Sequence, residues 1–345
     1  MARSGRNGVV TLILAFLSCS LIVVAEVVAM LALLPFGLPE DSIWFTIGPE
    51  WGGALAAMGC VALLGGKRAL RPKKGEVAYV FRFGWWCMVV AVGLLIFELV
   101  DYHLQGYQIV EGWPQRLAET MLLCLGIGLL EEFMFRGLLF NGLLAAMGDS
   151  HRGVVWATFI CSVAFGIAHI DFSEDFTDVL SVIQALLKVV QVGGYSIMLC
   201  VMVLRTKSLY GVSLFHAVDD FLIFLPSVVL YGESTDVDYV ATGDEAYYSI
   251  AFYLIVIVLY LPLVIKALRE LRRGQDVWRG LFMKNSEPND GGSSLQADER
   301  PPAPTGLPPV NEVSPPLIPE QKGGPLPDVE EWTVAPSTAA NKTVL

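Results

Sequence analysis

The chain has 345 residues, of which 54% are hydrophobic and 17% charged, and a formal net charge of −11; its mean hydropathy is +0.57. These values exclude an ordinary soluble domain and point to a polytopic membrane protein with recurrent apolar runs of about 18 residues or more. The absence of a basic patch excludes a nucleic-acid role, and the distribution of charge among the loops says more than its sum.

In chain order, a basic leader with Arg3 and Arg6 precedes a first span at Val9–Phe36 that carries Glu26. The run continues well past Cys19, so an uncleaved span is expected rather than a processed leader. An acidic turn, Pro39-Glu-Asp41, leads to a second span from Phe45 to Leu64 that carries Glu50. A basic loop follows, with Lys67, Arg68, Arg71, Lys73 and Lys74, and then a third span at Val77–Val100 with Arg82 and Glu98. After the acidic, aromatic loop of Asp101, Glu111 and Trp113 comes a fourth span, Arg116–Met147.

The loop Gly148-Asp-Ser-His-Arg152 opens a fifth span, Gly153–Ile170, and acidic residues Asp171, Glu174, Asp175 and Asp178 close it. A sixth span, Val179–Leu204, holds Lys188 and ends at Arg205-Thr-Lys207. The seventh, Leu209–Tyr231, holds His216, Asp219 and Asp220. The eighth, Tyr247–Lys266, exits into Arg269, Arg272 and Arg273. Basic and acidic loops alternate strictly, which places both termini in the cytoplasm by the positive-inside rule.

Beyond residue 283 no apolar period survives, and twelve of the nineteen prolines gather there. This composition predicts a disordered cytoplasmic tail, with Pro301-Pro-Ala-Pro304 as a candidate polyproline ligand for a partner. The six cysteines fall singly within apolar stretches and form no CxxC pair, so they read as small buried hydrophobes.

The intramembrane polar residues carry the functional signal, because each charge at the bilayer centre costs a few kcal/mol and is retained for a reason. Within LLEEFMFRG, Glu132 and Arg136 are four residues apart and share a helix face. Arg136 thus neutralises Glu132, whereas Glu131 lies roughly 100° around the helix and stays available to take a proton. On the fifth span Phe165 stands four before His169, so that its ring shields the imidazole; His216 and Asp220 repeat the spacing on the seventh. His103 and His151 read as loop residues. A carboxylate can activate water, and two imidazoles with a second carboxylate can bind a metal or face an oxyanion. No GxSxG or HExxH motif is present. Spacing alone leaves a hydrolase and a proton-coupled transporter nearly level, although the inverted repeat of broken spans usual in transporters is not seen.

Glu131-Glu132-x-x-x-Arg136, Phe165-x-x-x-His169 and His216-x-x-x-Asp220, in that order on separate spans, resemble the CAAX-protease and bacteriocin-processing family of intramembrane proteases. The resemblance covers roughly residues 120–225. It implies an intramembrane endopeptidase in which Glu131 activates water and His169 positions it. His216 and Asp220 would polarise the scissile carbonyl or hold its oxyanion, while Glu132 and Arg136 orient the motif. Its members have been described both as metalloproteases and as metal-independent glutamate proteases. A metal version implies a divalent ion, Zn²⁺, on Glu131, His169, His216 and Asp220. Many relatives have Asn where this chain has Asp220; a carboxylate is a better metal ligand but, unprotonated, has no hydrogen to give an oxyanion.

The expectation is therefore an all-α membrane protein of about eight transmembrane helices with a polar intramembrane cavity. Residues 1–114 form the first three spans, 115–231 a catalytic core of spans four to seven, 232–282 the eighth span and its basic exit, and 283–345 the disordered tail. The expected partners are membrane lipid and a membrane-associated peptide or protein substrate, and the expected location is a bacterial inner membrane. The alternative is a non-catalytic scaffold or transporter using the same charges. One geometric tension stands: His169 lies about 24 Å along its span but His216 only about 10 Å along its own. They meet only if those helices start at different depths, tilt or break.

Overall fold

The computed structural model describes residues 8–39, 42–148, 150–172, 176, 178–235, 240–273 and 280–282. Arg3, Arg6, Glu40, Asp41, Glu174, Asp175 and the whole expected tail lie outside the described residues. Among the described residues every regular element is helical. These are α1 (Gly8–Leu33), α2 (Trp44–Val61), α3 (Glu76–Phe83), α4 (Trp85–Leu104), α5 (Trp113–Glu131), α6 (Asn141–Met147), α7 (His151–Ala168), α8 (Val179–Thr206), α9 (Tyr210–Phe224) and α10 (Glu245–Arg273).

Among the described residues seven helices are long and apolar enough to cross a membrane: Gly8–Phe36, Trp44–Gly66, Trp85–Leu104, His151–Ala168, Val179–Thr206, Tyr210–Leu230 and Glu245–Arg273. The protein is an integral membrane protein. The fourth expected span is helical throughout, from α5 through a π-wound stretch, Glu132–Phe140, into α6. It falls outside the seven because its apolar stretch holds three charges, Glu131, Glu132 and Arg136. Glu132 and Arg136 are fully buried there, so protein rather than lipid surrounds them.

The third span departs from expectation. Its crossing helix starts at Trp85 rather than Val77, because Gly84 ends α3 and begins α4. The separate α3 buries Glu76, Val80 and Phe83 and exposes the opposite side. Lys266 of α10 secures its end by donating to the Phe83 carbonyl (2.8 Å) and lying 4.3 Å over the Phe83 ring.

This short helix resolves the depth tension. The turn that leads into α9 is itself buried, with Ser208 and Leu209 fully covered. Gly211, in the first turn of α9, abuts Glu76 of α3, within 3.2 Å of where a Cβ would stand. Helix α9 therefore begins inside the protein beneath α3, and His216 needs little axial travel to reach a site that His169 meets at the far end of α7.

Close helix approach uses small residues, as expected where lipid gives no hydrophobic drive between apolar surfaces. A Cβ at Gly128 of α5 would stand 2.5 Å from the Ser213 carbonyl oxygen and 3.0 Å from the Ala217 nitrogen of α9. Those two residues bracket His216. A Cβ at Gly166 of α7 would likewise stand 2.6 Å from the Val189 carbonyl of α8. All six cysteines are free thiols, and all but the half-buried Cys19 are buried. His103 is exposed in the last turn of α4, whereas His151 opens α7 half-buried rather than lying in a solvated loop.

Candidate active site

The three motifs, from α5, α7 and α9, converge on Glu131. Its carboxylate is 3.8 Å from His169 Nε2 and 3.5 Å from His216 Nε2, and His216 Nε2 is 3.7 Å from Asp220 Oδ1. These separations are ion-pair contacts longer than hydrogen bonds. All six expected residues thus gather in one place.

Their exposures divide them into two layers. Glu132 and Arg136 are 0% exposed and His216 5%, whereas Glu131 and Asp220 are each 21% and His169 27% exposed. In the buried layer, Arg136 Nη1 donates to Glu132 Oε1 at 2.8 Å, and His216 Nδ1 reaches the same oxygen at 2.9 Å. The i,i+4 pair expected from spacing is present, and it does more than hold its own helix. Glu132 also grips the imidazole of α9, tying the first motif to the third. Asn141 of α6 supports this layer by donating to the Arg136 carbonyl.

Hydrogen bonds fix both imidazoles. A carbonyl can only accept, so the 2.8 Å contact of His169 Nδ1 with the Phe165 carbonyl makes Nδ1 the donor. The His169 Nε2 is then turned towards Glu131. His216 is held the same way by the Arg136-neutralised Glu132, which leaves its Nε2 facing Glu131 and Asp220. A tautomer set by the far nitrogen is a common device for aiming the near one.

Phe165 stands at the centre of the aromatic packing. Its ring lies 4.5 Å from that of His169 and 6.0 Å from that of His216, with Phe135 edge-on at 4.9 Å. Arg136 lies 4.0 Å over the same ring, a cation–π contact that gains strength from desolvation. The ring shields His169, as its spacing predicts. Ring and guanidinium are both fully buried.

Two flanking charges were read in the sequence only as isolated intramembrane residues. Glu50 of α2 and Lys188 of α8 act electrostatically on Glu131 and Asp220. Helix α2 is seated by Trp51 Nε1 donating to the Leu122 carbonyl of α5 (3.0 Å). The usable signal for Lys188 was its spacing: Gln184, Lys188, Val192 and Tyr195 form one helical stripe. Tyr195 on that stripe meets the His216 ring edge-on at 5.4 Å.

The donor types match zinc, but their placement does not. Zinc needs ligands about 2.0–2.2 Å from a common centre, and among the described residues no three His, Cys, Asp or Glu side chains are gathered as such a group. No step below is routed through a metal. What the arrangement offers directly is a partly exposed carboxylate, an oriented imidazole on each side of it, and a second carboxylate. Glu131 Oε2 and Asp220 Oδ2 are buried oxygens without a hydrogen-bond partner among the described residues, as expected of groups kept for a polar ligand.

Residues 113–222 match the family model described as type II CAAX prenyl endopeptidase, Rce1-like. The matched segment contains all six motif residues. No curated protein matches the chain.

Proposed function

We propose that this protein is an intramembrane endopeptidase that hydrolyses a peptide bond of a membrane-associated substrate by Glu131-activated water. The observation that carries this reading is the two-layered site: a buried Glu132–Arg136–His216 frame holding a partly exposed Glu131 between two oriented imidazoles. A scaffold has no use for an unneutralised carboxylate beside a neutralised one.

Glu131 takes a proton from water as the water oxygen bonds to the scissile carbonyl carbon. His169 Nε2 accepts the second hydrogen of that water and orients its lone pair. The carbonyl becomes an oxyanion on the side of His216 and Asp220. When the C–N bond breaks, Glu131 returns its proton to the departing nitrogen, and the products are a carboxylic acid and an amine. General base action of this kind supplies roughly 10²–10⁴-fold of rate.

The competing version would place a divalent ion, Zn²⁺, on Glu131, His169, His216 and Asp220; only the donor types support it, and it requires those side chains to close on a common centre. The chain's alternating basic and acidic loops support an orientation with both termini in the cytoplasm. The matched family description supports a lipidated C-terminal peptide as the first substrate to try.

The test uses the full chain in phospholipid vesicles with a fluorogenic farnesylated CAAX peptide. Cleavage by the wild type and its loss in Glu131→Gln, with an unchanged melting profile, is the expected result. Full activity in Glu131→Gln would falsify the assignment of the base. Activity that survives complete chelation supports the metal-free route, and activity that vanishes on chelation and returns with Zn²⁺ overturns it.

A further inference from the structure

The carbonyl side of this site is poor in hydrogen-bond donors. The 2.8 Å bond to Glu132 engages Arg136 Nη1, and the rest of that guanidinium is fully buried against the Phe165 ring; the 2.9 Å bond to the same carboxylate engages His216 Nδ1. The Nδ1 hydrogen of His169 goes to the Phe165 carbonyl. Asp220, as a carboxylate, has no hydrogen to give. An oxyanion forming there would meet His216 Nε2 but also Glu131 and Asp220, two groups of its own sign, so the developing charge gains from a cation beyond the three motifs.

Lys188 is that cation. It lies half-buried on the α8 stripe of Gln184, Val192 and Tyr195, two turns, or about 10 Å, before the tyrosine that packs on His216. The close contact of Gly166 with the Val189 carbonyl sets the Lys188 turn beside the end of α7, where His169 sits. Its charge acts on Asp220 and Glu131 and is felt at His169. Its ammonium has no ion pair or hydrogen bond within the described residues.

We infer that Lys188 is a further catalytic residue, whose ammonium hydrogen-bonds the oxyanion of the tetrahedral intermediate. The inference rests on the peptidase reading above. In the ground state the flexible lysine stem holds its charge near Asp220 and Glu131; once Glu131 has taken the water proton and is neutral, the oxyanion becomes the strongest acceptor in reach. The interaction is thus stronger in the transition state than before it, which is the condition for raising kcat rather than lowering KM.

The test compares wild type, Lys188→Met and Lys188→Arg, each as the full chain in vesicles, with the farnesylated peptide and with a phosphinate analogue of it that mimics the oxyanion. Lys188→Met is expected to lower kcat by about 10²–10³-fold, the scale of losing one oxyanion donor, with KM nearly unchanged. It should also weaken phosphinate binding by a similar factor without weakening the parent peptide, and Lys188→Arg should recover most of both. If Lys188→Met unfolds, Lys188→Gln, which keeps a donor without the charge, should fall between Lys188→Arg and the loss expected of Lys188→Met, at about 10-fold below wild type in kcat. Wild-type kcat in Met or Gln, or equal loss of phosphinate and parent peptide, overturns the inference while leaving the peptidase reading intact. A wild type that cleaves no peptide overturns the reading itself.

Discussion

Helices α1 and α10 bury 17% and 22% of their apolar windows inside the protein, whereas α8 and α9 bury 56% and 50%. The outer pair presents large side chains outward, such as Leu17, Val24, Ile255 and Val258, each more than half exposed. The inner pair carries His216, Asp219, Tyr195 and Lys188 on its inward faces. Lipid accepts only apolar surface, so every polar group must turn to the centre, and the helices bearing such groups must be enclosed by others. The outer helices therefore need only hydrophobicity, while the inner ones need specific neighbours at specific separations.

The sharpest way to break that contrast is at Glu131. Glu131→Gln should lower kcat by about 10²–10⁴-fold in the vesicle assay while leaving the melting profile intact, because the side chain is partly exposed and its Oε2 holds no hydrogen bond among the described residues. Its neighbour should behave in the opposite sense. Glu132→Ala leaves the buried Arg136 without its carboxylate and should cost about 3–5 kcal/mol of stability, read as a large fall in Tm.

A smaller effect is expected where the two motif helices touch. Gly128→Val forces α5 away from the Ser213 carbonyl and should cost about 1–3 kcal/mol, with peptide cleavage lost as His216 leaves Glu131. The smallest belongs to the outer face. Val24→Leu on α1 should change stability by no more than about 0.5 kcal/mol and leave kcat unchanged. A loss at Val24 as large as that at Gly128 would erase the distinction between the two classes of helix.

Much of the site was legible along the chain because its motifs are local. A spacing of four places Arg136 on Glu132 and Phe165 on His169 by helix geometry alone, and both contacts are present. The third pair was less informative: His216 and Asp220 are near each other at 3.7 Å, yet the stronger partner of His216 is Glu132, 84 residues earlier. No periodicity reports a contact between separate helices. The break at Gly84 was missed for a related reason, since the apolar run from Val77 to Val100 hides a change of direction that Phe215 of α9 exploits. That ring lies 2.5 Å from where a Cβ at residue 84 would stand.

Read alone, the sequence determined that this is a helical membrane protein and that its costly charges stand in three short motifs, because hydrophobicity and i,i+4 spacing are properties of neighbouring residues. Tertiary structure decided which charges are buried framework and which stay partly exposed, and how His169 and His216 reach one carboxylate from unequal distances along their helices. It also brought Lys188 to the site. Those outcomes depend on where α9 begins beneath α3 and on how closely glycine lets α5 and α7 approach their neighbours, and both are set by packing between distant parts of the chain.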